Sequence, residues 1–228
     1  MKRAVLFVLK TVLYVVLAGV AVLLVLVPLY AVVAPPFSTP MLADRLHGRS
    51  YARQWVTLED VSQVLVRSVI VSEDARFCRH SGIDWVEFGK VIKRIDDDDR
   101  PRGASTITMQ LAKNLFLWQS RSYVRKALEL PIALYMDLVL SKRRILELYL
   151  NSVEWGPGVY GIGAAAERHF GVRPSRLGPD ASARLAVVLP LPRLRDPGEL
   201  SPRLRRLARL VRQRARRAGR LTDCIYKG

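Results

Sequence analysis

The residue that could most simply do chemistry here is Glu73, which opens the run Glu73-Asp74-Ala75-Arg76-Phe77-Cys78-Arg79-His80-Ser81-Gly82. On a helical wheel it falls at the border of the stripe formed by Val61, Leu65 and Val69, while Asp74 points nearly the opposite way. A carboxylate at the edge of an apolar face loses hydration, so its pKa rises and it becomes a better proton acceptor. Arg76 and Arg79 stand close by, however, and helix geometry alone favours an ordinary salt-bridged surface glutamate. His80 taken alone reads as a hydrogen-bonded structural residue. With His47 and His169 scattered and no cysteine cluster, zinc finds no ligand set.

A second run, Gly103-Ala104-Ser105-Thr106-Ile107-Thr108-Met109-Gln110-Leu111-Ala112-Lys113-Asn114, is of a different kind. Small residues lead into a hydroxyl-rich helix start, whose free N–H groups could receive an anion. Gln110, Lys113 and Asn114 follow at spacings of three and four, so they share a face with that entry. Such a face suits a diphosphate; an N-capped helix with a solvated lysine would read the same by composition. Ser105 as a nucleophile lacks both an elbow motif and a His/Asp partner. Farther on, Arg125 and Glu129 form an i, i+4 pair of the routine helical type. Gly156-Pro157-Gly158-Val159-Tyr160-Gly161 has the spacing G-x-G-x-x-G, but it follows a helix rather than a strand, so a nucleotide site is not expected.

The elements that must carry these groups read as mostly helical, from periodicity rather than alternation. The pattern predicts a helix from Thr57 as N-cap, with Asp60 at the third position and Val61, Val64, Leu65 and Val69 inward. Further helices are predicted from Ser105 or Thr106 through Leu115, and from Val124 to Leu140 with a kink at Pro131. Others cover Ile145 to about Asn151, and Gly161 to Phe170. The Asp96–Asp99 run reads as a solvated loop, because adjacent carboxylates repel.

Ahead of all this lies an apolar run, uncharged from Thr11 to Ala34, after Lys2, Arg3 and Lys10. About 20 apolar residues cross a bilayer core, and signal-peptide cores run only to about 15, so a retained anchor is expected rather than a cleaved leader. Basic residues at its amino end place that end in the cytosol and the remainder outside. Pro35-Pro36 is the expected helix stop. The divisions are then an anchor with its cytosolic stub (1–34), a linker (35–56), a helical domain (57–190) and an arginine-rich tail (191–228). The tail holds eleven arginines between Arg193 and Arg220, with Leu204, Leu207, Leu210 and Val211 on one side. Two readings stay open for it: an amphipathic helix for anionic headgroups, or a solvated, partly disordered tail. The net charge of +17 points to a membrane surface and phosphate-bearing lipids rather than nucleic acid, which an exported domain does not meet. Cys78 and Cys224 are read as two independent thiols.

Taken in order, the motifs resemble the peptidoglycan glycosyltransferase (transglycosylase) family, and the monofunctional members within it. The matches are Glu73-Asp74-x-x-Phe77-x-x-His80-x-Gly82, then Gly103-Ala104-Ser105-Thr106-Ile107-Thr108-x-Gln110-x-x-Lys113-Asn114, and then Arg125-Lys126-x-x-Glu129. Lys142-x-x-Ile145-Leu146-Glu147-x-Tyr149-Leu150-Asn151 and the Gly161, Ala164-Ala165 and Phe170-Gly171 positions complete the series, spanning about residues 56–190. Met109 departs from the family, where glutamine is frequent. No S-x-x-K or K-T-G element accompanies the motifs, so no transpeptidase module is expected.

The resemblance implies a lysozyme-like helical head with a smaller membrane-associated jaw, behind one transmembrane helix, in the bacterial cytoplasmic (inner) membrane with the domain periplasmic. It implies polymerisation of lipid II into β-1,4-linked strands with release of undecaprenyl pyrophosphate. Glu73 would be the general base and Glu129 the second catalytic glutamate. Ser105, Thr106, Gln110, Lys113, Asn114, Arg121, Arg125 and Lys126 would bind substrate. Mg²⁺ or another divalent cation could share the pyrophosphate's charge at an unassigned site, and no nucleotide or organic cofactor is implied. Lipid II, the nascent glycan strand, membrane lipids and other cell-wall synthesis proteins are the implied partners. A lytic muramidase-type enzyme of related fold and a non-catalytic membrane scaffold are the alternatives.

Overall fold

The computed structural model describes residues 2–95, 105–120 and 122–226. The loop expected at Asp96–Asp99, and Arg121, lie outside the described residues.

The apolar run forms one long helix, α1 (Lys2–Leu29), long and apolar enough to cross a membrane and exposed along nearly all its length. That is consistent with a single-pass anchor. It stops earlier than Pro35-Pro36, with Pro28 in its last turn. Proline has no N–H to give Leu24 O, and the Tyr135 hydroxyl donates to that carbonyl instead, at 3.4 Å. Arg144 then takes the carbonyls of Tyr30 (2.7 Å) and Val33 (2.9 Å), so the chain turns rather than continues.

After α2 (Thr39–Leu46) and the two-residue strand β1 (Ala52–Arg53) comes the helix carrying Glu73. It does not start from Thr57: residues Leu58–Asp60 make a 3₁₀ turn, and α3 runs Gln63–Glu73. The turn is held from outside, by Leu58 N donating to Glu147 Oε2 (3.0 Å) and Ser62 N to Pro174 O (3.1 Å). Helix α4 (Trp85–Ile95) follows, then α5 (Ile107–Phe116), α6 (Tyr123–Val139, containing Pro131) and α7 (Lys142–Ser152). Each of α5, α6 and α7 begins at a hydroxyl N-cap, Thr106, Ser122 and Ser141, whose side chain accepts an orphan N–H of the first turn.

The G-x-G-x-x-G segment is the hairpin of β2 (Glu154–Gly156) and β3 (Val159–Tyr160), antiparallel to each other, with β1 parallel to β3. Helix α8 (Ile162–Phe170) leaves it, and α9 (Pro179–Val188) follows. Leu65, Val69 and Ile70 of α3, Leu111 of α5, Met136 of α6, Ile145 and Leu150 of α7 and Leu185 of α9 are fully buried in one continuous core. The fold is mostly α with few strands, as expected.

The arginine-rich segment forms α10 (Pro202–Arg216), packed on α3 and α9. Its inward face is Leu204, Ala208, Val211 and Ala215, whereas Leu207 and Leu210 are exposed by 43% and 44%. The expected face is therefore corrected in part: Leu204 and Val211 turn inward, and Ala208 and Ala215 complete the contact in place of Leu207 and Leu210. A short helix α11 (Asp223–Tyr226) ends the described chain, and Cys224 within it is disulfide-bonded to Cys78, Cα to Cα 5.6 Å. The expectation of two independent thiols is overturned. The 3₁₀ turns Phe77–Arg79 and Gly219–Thr222 pack together and bring the two cysteines into reach across 146 residues.

Candidate active site

Glu73 is the last residue of α3, where the apolar stripe runs out, and α5 crosses beside it. The pairing expected from helix geometry alone does not form. Arg76 Nε lies 2.9 Å from Asp84 Oδ2, so that cation is spent elsewhere. Glu73 takes neutral donors instead: Gln110 Nε2 gives to Oε2 at 3.1 Å and Ser72 Oγ reaches Oε1 at 3.3 Å. Burial is the leading influence and raises the pKa of Glu73 above its ordinary value. The two hydrogen bonds and the charge of Arg195 pull it back only in part.

Gln110 is itself oriented. The buried Tyr149 hydroxyl lies 3.0 Å from Gln110 Oε1, which leaves the NH₂ group for Glu73. Burial, with the nearby charges of Glu73 and Asp74, raises the Tyr149 pKa well above 10, so the phenol keeps its proton. In the sequence Tyr149 stands only as a position of the Ile145–Asn151 helix and of its motif. The signal it held was its hydroxyl, because a buried tyrosine O–H requires a partner.

Asp74 is buried and does structural work. It accepts from His80 Nε2 at 2.9 Å and from Ile107 N at 3.0 Å, fixing the N-terminus of α5 beside Glu73. Thr106 caps the same helix, accepting from Met109 N (3.1 Å) and donating to Gly82 O (2.6 Å). Gly82 has φ +81°, and a Cβ there would lie 2.5 Å from Ala133 O, so only glycine lets this loop approach α6.

A second group gathers around Glu129, which is 2% exposed. Arg125 pairs with its Oε1, and Lys126 Nζ with its Oε2 at 2.7 Å. Lys126 Nζ also donates to Ser105 Oγ at 2.5 Å. Burial first, then the charges of Arg125 and Lys113, brings the Lys126 pKa down to about 8. Burial and Arg125 likewise lower that of Lys113, while Glu73 raises it. Lys113 therefore feels both groups.

Two cavities open on this wall. One of about 280 Å³ is lined by Glu73, Ser105, Thr106 and Arg76. The other, about 500 Å³, is lined by Gln110, Lys113 and Asn114, facing Asp44 and Arg193. Glu73, Gln110, Lys113, Ser105, Lys126, Arg125 and Glu129 are thus brought together. Asn114 is buried at the second cavity, and the Thr106 hydroxyl is committed to the fold. The described residues on this wall are already paired among themselves. Both oxygens of each glutamate already meet donors, and among the described residues no group of three or more His, Cys, Asp or Glu side chains could hold a metal.

The family model described as transglycosylase matches residues 41–216. A biosynthetic peptidoglycan transglycosylase of Rhizobium meliloti (strain 1021) is 51% identical over 191 residues, covering 84% of this chain and 81% of its own. One from Rhizobium etli is 49% identical over 221 residues, covering 96% and 95%. One from Brucella suis biovar 1 (strain 1330) is 50% identical over 190 residues, covering 83% and 85%.

Proposed function

The chain belongs to the transglycosylase family and is a peptidoglycan glycosyltransferase, and from that premise we propose that it polymerises lipid II with Glu73 as general base. The acceptor sugar's 4-hydroxyl gives its proton to a Glu73 carboxylate oxygen. The hydroxyl oxygen bonds to C1 of the donor sugar as the bond from C1 to the pyrophosphate oxygen breaks. The products are one new β-1,4 linkage, a protonated Glu73 and undecaprenyl pyrophosphate.

One observation carries this reading. Glu73 is a desolvated carboxylate held only by neutral donors, beside a group of cations. Desolvation makes it basic enough to take a proton, and neutral partners do not cancel that effect. The leaving pyrophosphate gathers negative charge as C1 departs. Lys113, Arg125 and Lys126, with Ser105, are the groups that would meet it. Gln110 positions the base, Asn114 supports the second cavity, and Glu129 holds the cations.

The basic residues Lys2, Arg3 and Lys10 at the amino end of α1 support a cytosolic N-terminus and an extracytoplasmic domain, in the bacterial inner membrane. Anchoring confines enzyme and lipid-linked substrate to one surface, which raises their effective concentration.

The test is polymerisation of labelled lipid II by the wild-type chain and by Glu73→Gln. Wild type should build long glycan chains, and the variant should lose about 10²–10⁴ in rate while folded. A fully active variant would overturn the role of Glu73. Degradation of polymer without synthesis would replace this reaction with a lytic one.

A further inference from the structure

The disulfide takes no part in glycosyl transfer, and it does not sit sealed in the core. Cys78 and Cys224 are both half-buried, and they line a cleft of about 220 Å³. Arg76, Arg79 and Arg220 line it with them, against a single acid, Asp223. Both Arg79 and Arg220 are exposed. A cationic rim raises the local concentration of anionic thiolates and stabilises a cysteine thiolate that departs. Ala75 and Arg76 also line the cavity that holds Glu73, so the two spaces share a wall. Arg76 is anchored in that wall by its ion pair with Asp84.

We propose that this cleft is a thiol–disulfide exchange site for a dithiol reductant, and that opening the bond loosens the loop following Glu73. One thiolate of the dithiol attacks Cys224 Sγ and expels Cys78 as thiolate, next to Arg79. The second thiol of the reductant displaces Cys224 and closes its own disulfide. Two electrons and two protons pass from the dithiol to the cysteine pair, leaving Cys78 and Cys224 as thiols. Reduction unlinks Gly219–Tyr226, just beyond α10, from the turn Phe77–Arg79. The segment keeps its buried Thr222 and Ile225 and the Arg143 hydrogen bond to Ile225 O, so the fold persists while the clamp is lost. The exchange chemistry stands apart from the proposed glycosyl transfer; the effect on rate rests on that reading.

The test uses the full chain in detergent micelles, with alkylation and mass spectrometry to follow the cysteines. At equal thiolate concentration, 2-mercaptoethanesulfonate should cleave the bond about tenfold faster than cysteamine, because the first is anionic and the second cationic. The double variant Arg79→Gln/Arg220→Gln should bring that ratio towards one. Dithiothreitol should open the bond with the far-ultraviolet circular dichroism unchanged. Hydrogen exchange should then rise at 77–79 and 219–226, and lipid II polymerisation should fall about threefold or more. A bond that opens only when the chain unfolds would overturn the proposal, as would equal rates with the two thiols. Unchanged exchange after reduction would overturn the clamp, and unchanged polymerisation alone would remove its link to Glu73.

Discussion

Glu73 and Glu129 are both carboxylates taken out of water, yet their surroundings differ in kind. Around Glu73 the donors are an amide and a hydroxyl, Gln110 and Ser72. Around Glu129 they are a guanidinium and an ammonium, Arg125 and Lys126. Neutral donors hold a carboxylate in place without answering its charge, so burial is left to raise its proton affinity. Cationic donors answer the charge and occupy the lone pairs. The first carboxylate is fit to accept a proton; the second is fit to orient two cations towards the space beside Ser105. One wall thus supplies a base and an electrostatic clamp, and the partner chosen for each acid assigns the roles.

Exchanging each acid for its amide tests that division most severely. Glu129→Gln leaves the half-buried Arg125 and Lys126 without their counter-charge, which costs about 1–3 kcal/mol, less than breaking a fully buried pair. In a domain of this size the melting temperature should fall by about 5 °C. Glu73→Gln should melt at or above the wild-type temperature. Its folded pKa is raised, so ionisation of Glu73 costs stability as pH rises through that value, and glutamine removes the cost. Differential scanning calorimetry at pH 7 reads both. If Glu73→Gln is the destabilised one, the roles drawn from the two surroundings are wrong.

A smaller effect should come from the residue that sets the amide. The Glu73 carboxylate can only accept, so it draws the Gln110 NH₂, and the Tyr149 hydroxyl anchors the other end of the amide by donating to Oε1. Tyr149→Phe removes the anchor on Oε1 and leaves that buried carbonyl without its donor, so Gln110 holds Glu73 less firmly. The maximal rate should fall about tenfold with KM nearly unchanged, since the base is misplaced while the cations still hold the donor. An equal rise in KM would mean that Tyr149 supports substrate binding instead.

How much of this could be read beforehand depended on the range of the interaction concerned. Helices α5, α6 and α7 were legible because their N-caps and apolar spacing are local. The end of α1 was not, because what stops it is distant: Tyr135 and Arg144 take carbonyls more than 100 residues away in sequence. The tail's inward face was misjudged in part because leucines outrank alanines in hydrophobicity, yet Ala208 and Ala215 are what close packing on α3 and α9 admits. At the site, Glu73 and Gln110 were each visible as candidates. Their hydrogen bond, and the diversion of Arg76 to Asp84, exist only once α3, α5 and the loop to α4 are packed together. Local geometry therefore favoured a surface ion pair for Glu73, and only the ordered motifs of the family pointed to a base.

The finest discrimination between the two centres lies in the pH profile. The rate should fall on the acid side as Glu73 takes up its proton, at a pH above the ordinary glutamate value, because its pKa is raised by burial. It should fall again on the alkaline side near 8, where Lys126 loses the charge that would face the pyrophosphate. Lys126→Arg separates the limbs, because a guanidinium stays protonated throughout this range. Its rate at pH 7 should stay within about threefold of wild type, the alkaline limb should move out, and the acid limb should not shift. The measurement is initial polymerisation rate from pH 4 to 10 on both proteins. An alkaline limb that stays near 8 in Lys126→Arg would assign it to Lys113, whose pKa burial and Arg125 also lower. The clamp would then centre on α5 rather than on the Glu129 group.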